Sequence, residues 1–292
     1  MALRDRISAL MNSELTAGRA VPTAQGLENE RSAMVHEGLA RLDFVLEHLN
    51  FRDKSVLDLG CGTGYAAQYV MSSGPKEIVG VDPSPASIRY AKEHYPAHTF
   101  VCMDASELDL HRKFDIVMAF EVIEHVRDPV RFLSTAVKHL SDSGVLALST
   151  PNRLLFSLGR ERSIVNKTHI HEFVEDELRA LLESRFRQVA MLGQRHRSEA
   201  MQQSFMDDVL GEEKKQQREM RLCRLFGLTP PCLEDRPLLR YPVRAILNVP
   251  RWYHMIFDPS ERNVHCRTRG DFVFSEKLVD AIWFMCLCEG TG

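Results

Sequence analysis

A few short stretches of this chain hold the residue types that do chemistry. Val56-Leu57-Asp58-Leu59-Gly60-Cys61-Gly62-Thr63-Gly64 is an apolar run that ends on three glycines. Glycines at that density allow a tight turn and let a ligand approach the backbone. Free N–H groups at the start of a following helix would favour an anionic group. A dinucleotide fingerprint reads G-x-G-x-x-G, whereas here the third glycine arrives one residue early. Asp82, followed by Pro83, lies 24 residues after Asp58, where a carboxylate can accept hydrogen bonds from ribose hydroxyls. Asp104, followed by Ala105, can accept from an adenine amino group, and Glu121 closes a further apolar run. Two histidine positions are candidate general bases. One is His125, in Glu121-Val122-Ile123-Glu124-His125; the other is His169, with His171 beside it, in Thr168-His169-Ile170-His171-Glu172-Phe173.

Residues so far apart need a scaffold that brings them to one edge. Short apolar runs at Ser55–Leu59, Glu77–Val81, Thr99–Met103, Asp115–Phe120 and Val145–Thr150 read as buried parallel strands. Helices lie between several of them. Ser84-Pro85 starts one that carries Ile88, Ala91 and Lys92. Asp128-Pro129 starts another, with Val130, Leu133, Val137 and Leu140 on one face and Gly144 after its end. Alternating strands and helices imply right-handed βαβ units and a doubly wound α/β sheet, whose ligands bind at the carboxyl ends of the strands. The three acids and the glycine turn all fall at such ends.

The flanks read less sharply. Ile7–Leu15 is faintly helical, and residues 31–50 carry Met34, Val35, Leu39, Leu42, Val45, Leu46 and Leu49 at helical spacing. After Pro151 a loop leads to a helix at Glu175–Ser184, a strand at Arg187–Leu192 and a last strand at Ile282–Cys288. Gln194–Arg269 reads as an insertion. It contains a long helix, Met201–Phe226, in which Gly211 to Lys215 mark a break or exposed turn. Phe205, Val209, Leu222, Leu225 and Phe226 are available to pack downward. The division expected is an N-terminal helical segment at 1–50, an α/β core at 51–193, the insertion at 194–269 and a C-terminal strand region at 270–292.

These motifs resemble the class I S-adenosylmethionine (SAM)-dependent methyltransferase family over roughly Lys54 to Leu192. The resemblance rests on Asp58-Leu59-Gly60-Cys61-Gly62-Thr63-Gly64, on Asp82 and Asp104, and on Phe114-Asp115-Ile116-Val117 through Glu121-Val122-Ile123-Glu124-His125-Val126. It implies a Rossmann-like, seven-stranded sheet, mostly parallel with the last strand antiparallel. It also implies SAM as cofactor and S-adenosyl-L-homocysteine as product, held by Asp58, Gly60, Cys61, Gly62, Gly64, Asp82, Pro83, Asp104, Ala105 and Glu121. Ser149-Thr150-Pro151-Asn152-Arg153, with His169-x-His171-Glu172-Phe173, is similar to the subgroup of ubiquinone-biosynthesis O-methyltransferases and bacterial sugar and small-metabolite methyltransferases. That subgroup implies O-methylation of a small-molecule hydroxyl, with N-methylation next; His125 or His169 would serve as the base, and no metal is expected. The insertion would cover the acceptor side as a lid, with Tyr241, Trp252, Tyr253 and Phe257 lining a pocket or filling its own core, or would pair two copies as a homodimer. An alternative from another substrate class is a metal-dependent RNA 2′-O-methyltransferase, with Glu121, Glu124, His125 and His169 or His171 around an ion. A third is a SAM-binding scaffold without activity.

Composition limits the partners. Net charge is −3, with 44% hydrophobic and 26% charged residues, so no global basic bias calls for nucleic acid. The insertion carries 14 Lys/Arg and 10 Asp/Glu, a local balance of +4 that is only a mild bias. The chain shows no apolar run of membrane-spanning length and no signal-peptide h-region. Its seven scattered cysteines fit reduced thiols in a cytoplasm.

Overall fold

In the computed structural model, described for residues 33–161, 163, 164, 166, 168–225 and 272–291, strands and helices alternate as the apolar runs imply. Helix α1 (Ala33–His48) precedes β1 (Ser55–Leu59), α2 (Tyr65–Val70), β2 (Glu77–Asp82), α3 (Pro85–His94) and β3 (Thr99–Cys102). Then follow β4 (Phe114–Phe120), α4 (Pro129–Lys138), β5 (Leu140–Pro151), α5 (Arg153–Phe156), α6 (Glu175–Glu183) and β6 (Phe186–His196). Helix α7 (Glu199–Leu225) leaves the sheet, and β7 (Phe272–Ser275) and β8 (Trp283–Thr291) complete it. Strand order is β3-β2-β1-β4-β5-β8-β6-β7, with β1 to β5 parallel and β8 antiparallel to both β5 and β6.

The sheet is therefore eight-stranded among the described residues, one more than expected. The addition is β7, which pairs antiparallel with β6 from Gly193↔Ser275 to His196↔Phe272. A four-residue edge strand contributes too little periodicity to be read from sequence. That same pairing holds the last residue of β6 and the first of β7, His196 and Phe272, directly opposite each other.

Strand side chains alternate between two cores. Val56, Ile78, Phe100, Met118 and Met285 face α1, α2 and α3, where Leu42, Phe44 and Val45 of α1 and Ala67 and Val70 of α2 are buried. Leu57, Leu59, Val81, Val117 and Phe284 face α4 and α6, through Phe132, Leu133, Leu178 and Leu182. Ser84 and Asp128 cap α3 and α4 by accepting from the N–H groups of Ser87 and Arg131, each with a proline at the first helical position.

Three local expectations are corrected. The buried face of α4 is Phe132, Leu133, Thr135 and Ala136, while Val130 is exposed. Leu140 and Gly144 belong to β5, not to α4 and its end, because Leu140 pairs with Phe114. Helix α7 runs unbroken through Gly211. Glycine costs about 1 kcal/mol in a helix, and Lys215 donating to Glu212 at 3.2 Å and Gln217 donating to Glu213 at 2.9 Å help offset it. Met201 and Val209 of α7 are buried, and Phe205 packs beside Trp283 and Phe156. Ile7–Leu15, the aromatics Tyr241, Trp252, Tyr253 and Phe257, and Phe226 lie outside the described residues, as do the side chains of Leu222 and Leu225.

The glycine turn is seated on the sheet through a second glycine. A Cβ on Gly80 in β2 would meet Phe100 at 2.6 Å and Cys61 Sγ at 2.9 Å. Gly80→Ala should therefore destabilise the fold by about 1–3 kcal/mol, the usual result of overpacking. Urea unfolding of the purified variant, with an unchanged m-value, checks this.

Candidate active site

At the end of β1 the backbone turns through Gly60, Gly62 and Gly64, with φ of 74°, 52° and 83°. Each lies in the left-handed region, where a side chain is strained. Gly60 has no room for one either, since a Cβ would sit 2.4 Å from Val122. Gly62 is the opposite case: nothing lies within 4 Å of its Cβ position, so the turn is open there to a ligand.

Several N–H groups of this turn are already engaged within the protein. Gly60 and Cys61 both donate to the Val81 carbonyl, at 2.7 and 3.0 Å, and Gly64 donates to Cys61 O at 2.9 Å. The Gly62 N–H donates to Asp82 Oδ2 at 3.1 Å, and Asp82 Oδ1 accepts from the Ser84 N–H at 2.8 Å. Asp82 thus braces the turn through both of its carboxylate oxygens. Pro83 and Asp104 are exposed and Ala105 is buried; Asp104 Oδ1 accepts from the Ser106 N–H at 2.7 Å. The structure brings Asp58, Gly60, Cys61, Gly62, Gly64, Asp82, Pro83, Asp104, Ala105 and Glu121 to the ends of β1, β2, β3 and β4, along one sheet edge.

Two carboxylates there are buried without full partners. Asp58 is 3% exposed, and its Oδ2 has no hydrogen-bond partner among the described residues. Burial, with the nearby Asp82 charge, pushes its carboxyl up to about 7. Glu124 is fully buried; Thr150 Oγ1 donates to its Oε2 at 3.1 Å, and its Oε1 has no partner among the described residues. Burial and the Glu121 charge hold Glu124 well above the usual carboxylate range. Glu121 itself has φ 56°, a strained conformation for a non-glycine residue, fixed by its N–H donating to Ser149 O at 3.1 Å. Its Oε1 accepts from Ser149 Oγ at 2.8 Å.

Sequence reasoning missed Arg41. It sits on α1, 4% exposed, with NH1 3.8 Å from Glu121 Oε1. Its Nε donates to Gln194 Oε1 at 2.7 Å, and its guanidinium carbon lies 5.1 Å from the centre of the Trp283 ring. The one signal available was a cation between Ala40 and Leu42, next to the helix's apolar stripe.

The two candidate bases differ in what they leave free. His125 Nδ1 lies 3.1 Å from Thr168 O, so it carries the proton and donates, leaving the Nε2 lone pair. Burial holds His125 below the usual imidazole range. Both nitrogens of His169 are engaged: Nδ1 with Glu172 Oε1 at 2.8 Å, Nε2 with Asn166 Nδ2 at 2.9 Å. The two rings meet edge to face, with centroids 4.8 Å apart. The loop is pinned beneath them by the N–H groups of Ile170 and His171, which donate to Glu124 O at 2.7 and 3.0 Å. His171 turns away, its Nε2 3.4 Å from Arg127 O. Glu124, His125 and His169 offer ligand atoms that all lie within 4.8 Å of one another, a set able to hold a metal ion.

The Asp58 carboxyl makes stability depend on pH. Its pKa is raised on folding, so ionisation is disfavoured in the folded state and stability is lost as pH rises from about 4 towards 7. Asp58→Asn, in protein without ligand, should be near neutral around pH 4.5. Around pH 8 it should gain stability, by at most about 4 kcal/mol. Denaturant titrations at both values check the sign: an equal effect at the two would show that Asp58 is not held neutral.

A family profile described as a methyltransferase domain matches residues 31–185, just over half of the chain. Among relatives, a probable S-adenosylmethionine-dependent methyltransferase of Mycobacterium tuberculosis is 37% identical over 145 residues, which cover 49% of this chain and 52% of that protein. A ubiquinone biosynthesis O-methyltransferase of Bradyrhizobium diazoefficiens is 39% identical over 102 residues, 34% of this chain and 40% of that one. The chain spans about half the length of these curated relatives, or less. A solved SAM-dependent methyltransferase of Thermotoga maritima, named as a possible histamine N-methyltransferase, superposes with TM-score 0.51 at 17% identity, over 88% of this chain and 91% of that one. At that identity the likeness speaks for the fold alone. With the glycine turn, the acidic strand ends and the profile over residues 31–185 in agreement, the chain belongs to the methyltransferase-domain family.

Proposed function

We propose that the protein transfers the methyl group of SAM to a hydroxyl group of a small-molecule acceptor. The observation that carries this reading is the joint placement along one sheet edge of an open Gly62, the Asp82 carboxylate and the buried Asp58, whose Oδ2 has no hydrogen-bond partner among the described residues. The Asp82 carboxylate would take the ribose hydroxyls and Asp104 the adenine amino group. The methionyl end carries an ammonium and a carboxylate. Asp58 offers the first a counter-charge, and Arg41 offers the second a fork of N–H donors.

Transfer is an in-line displacement: the acceptor oxygen forms a bond to the methyl carbon while the carbon–sulfur bond breaks and its electron pair returns to sulfur. The sulfonium is already an activated leaving group, so the protein's work is alignment, exclusion of water and removal of the hydroxyl proton. His125 suits the last task better than His169. Its Nε2 lone pair is unengaged among the described residues, and its lowered pKa keeps the ring neutral at neutral pH. The ubiquinone-biosynthesis relatives support a small-molecule hydroxyl as acceptor.

Calorimetry with SAM and S-adenosyl-L-homocysteine tests this reading. Wild-type protein should bind both. Asp82→Ala should weaken binding about 10- to 150-fold, from the loss of a charge-assisted hydrogen bond worth roughly 1.5–3 kcal/mol. Because Asp82 also braces Gly62, Asp82→Asn, which keeps one acceptor oxygen, should lose less. Unchanged affinity in both variants would overturn the assignment.

A second reading keeps the same reaction and adds a divalent cation on Glu124, His125 and His169. The unpartnered Glu124 Oε1 beside two imidazoles favours it. An ion there would supply Lewis-acid activation of the acceptor oxygen. Under the first reading, exhaustive chelation leaves turnover unchanged. Activity lost to chelator and restored by Mg²⁺ or Mn²⁺ selects the second.

A further inference from the structure

His169 belongs to a buried chain of hydrogen bonds that reaches the inserted helix. Its Nδ1 contacts Glu172 Oε1 at 2.8 Å, with both side chains almost wholly enclosed. The other oxygen of Glu172 accepts from Ser157 Oγ. Ser157 Oγ accepts in turn from the Ile164 N–H at 3.2 Å. The Ile164 carbonyl accepts from Gln216 Nε2, on α7, at 2.8 Å. Arg160 in the same loop pairs with Glu213, one helical turn earlier on α7.

That chemistry dictates the state of the histidine. A carboxylate only accepts, so a proton on Nδ1 is required for the 2.8 Å contact to be a hydrogen bond. Asn166 then donates its amide N–H to Nε2, as a lone pair there demands. We infer that Glu172 is the positioning residue of His169, fixing its Nδ1–H tautomer, and that Gln216 ties this arrangement to α7 so that the insertion holds the loop at residues 157–172 in place. This rests on the reading of His169 as an acceptor-side residue.

The arrangement is more than a loop brace. A brace could be made by any polar pair, whereas an acceptor-only group on Nδ1 sets which nitrogen carries the lone pair. The connection also runs through named bonds, so the effect of α7 on the loop can be read without knowing the acceptor.

Two measurements on the full-length protein test the inference, neither of which uses turnover. Long-range ¹H–¹⁵N spectra of the imidazoles, with His169 assigned by its loss in His169→Gln, read the tautomer. Wild type should show a single Nδ1–H form, and Glu172→Met, which removes the acceptor, should show a mixture or the other tautomer. Hydrogen exchange of the 157–172 peptide reads the tether. Gln216→Ala should speed it about 2- to 10-fold, the loss of one hydrogen bond, with β1 to β5 unchanged. An unchanged tautomer in Glu172→Met, or unchanged exchange in Gln216→Ala, overturns the inference. If Glu172→Met does not fold, Glu172→Ala, which also removes the acceptor, replaces it: the mixed tautomer is expected there, and the wild-type form overturns the inference. Failure of the wild-type protein to bind S-adenosyl-L-homocysteine would count against the proposed cofactor and leave these readouts to judge the tether.

Discussion

Buried carboxyl groups with too few partners are the constraint to which the rest of the site responds. Asp58 and Glu124 are enclosed at the carboxyl edge of one sheet, with Asp82 and Glu121 close by. Removing a carboxylate from water is costly unless hydrogen bonds or an opposite charge replace the hydration. The neighbouring elements supply part of that replacement. Thr150 and Ser149, on β5, donate to Glu124 and Glu121, and Arg41 places the nearest cation 3.8 Å from Glu121. What remains unmatched among the described residues is Asp58 Oδ2 and Glu124 Oε1, which a ligand that donates hydrogen bonds or carries positive charge would satisfy. On the proposed function that ligand is SAM, which carries both a sulfonium and an ammonium. A site that is electrostatically unfinished when empty gains most from the charged cofactor and less from the uncharged sulfur of its product.

The same constraint explains why the edge is built from so many separate elements. A turn of three left-handed glycines cannot hold its own shape, and it borrows stability from the Val81 carbonyl and the Asp82 carboxylate of the next strand. Glu121 is held in a strained conformation by β5. Arg41 is steered by Gln194, 153 residues away, and by the face of Trp283 on the antiparallel strand β8. The cofactor end therefore depends on pieces from both halves of the chain, although its motifs sit in the first half.

What could be read from sequence was local. The glycine turn, the proline-led starts of α3 and α4 and the acids closing each apolar run are patterns within a few residues, and all fall where expected. Long-range pairings were not legible. Nothing near Arg41 announces Gln194 or Glu121, and nothing near Glu172 distinguishes a helix-entry residue from the partner of His169. Junctions misled for a different reason. Leu140 suits either a helix end or a strand start, and its pairing with Phe114 decides for the strand. Gly211 carries a breaker's propensity, which the charged and amide pairs around it outweigh in α7. The eighth strand is too short to leave a period.

The pairing of His196 with Phe272 has an evolutionary consequence. Residues directly opposite on antiparallel strands lie about 5 Å apart, so the stretch between them leaves the sheet and returns to it through one narrow doorway. Closing a long loop across a fixed gap costs little more than closing a short one. Beyond the doorway, the described part of that stretch meets the core through Met201, Phe205 and Val209 of α7, on the side of Phe156 and Trp283 and away from the glycine turn. Variation can accumulate beyond β6, lengthening, shortening or exchanging that stretch, while the strands that form the glycine turn and the acidic edge keep their register. A lineage built on this plan could change what it acts upon far faster than it changes how it holds its cofactor.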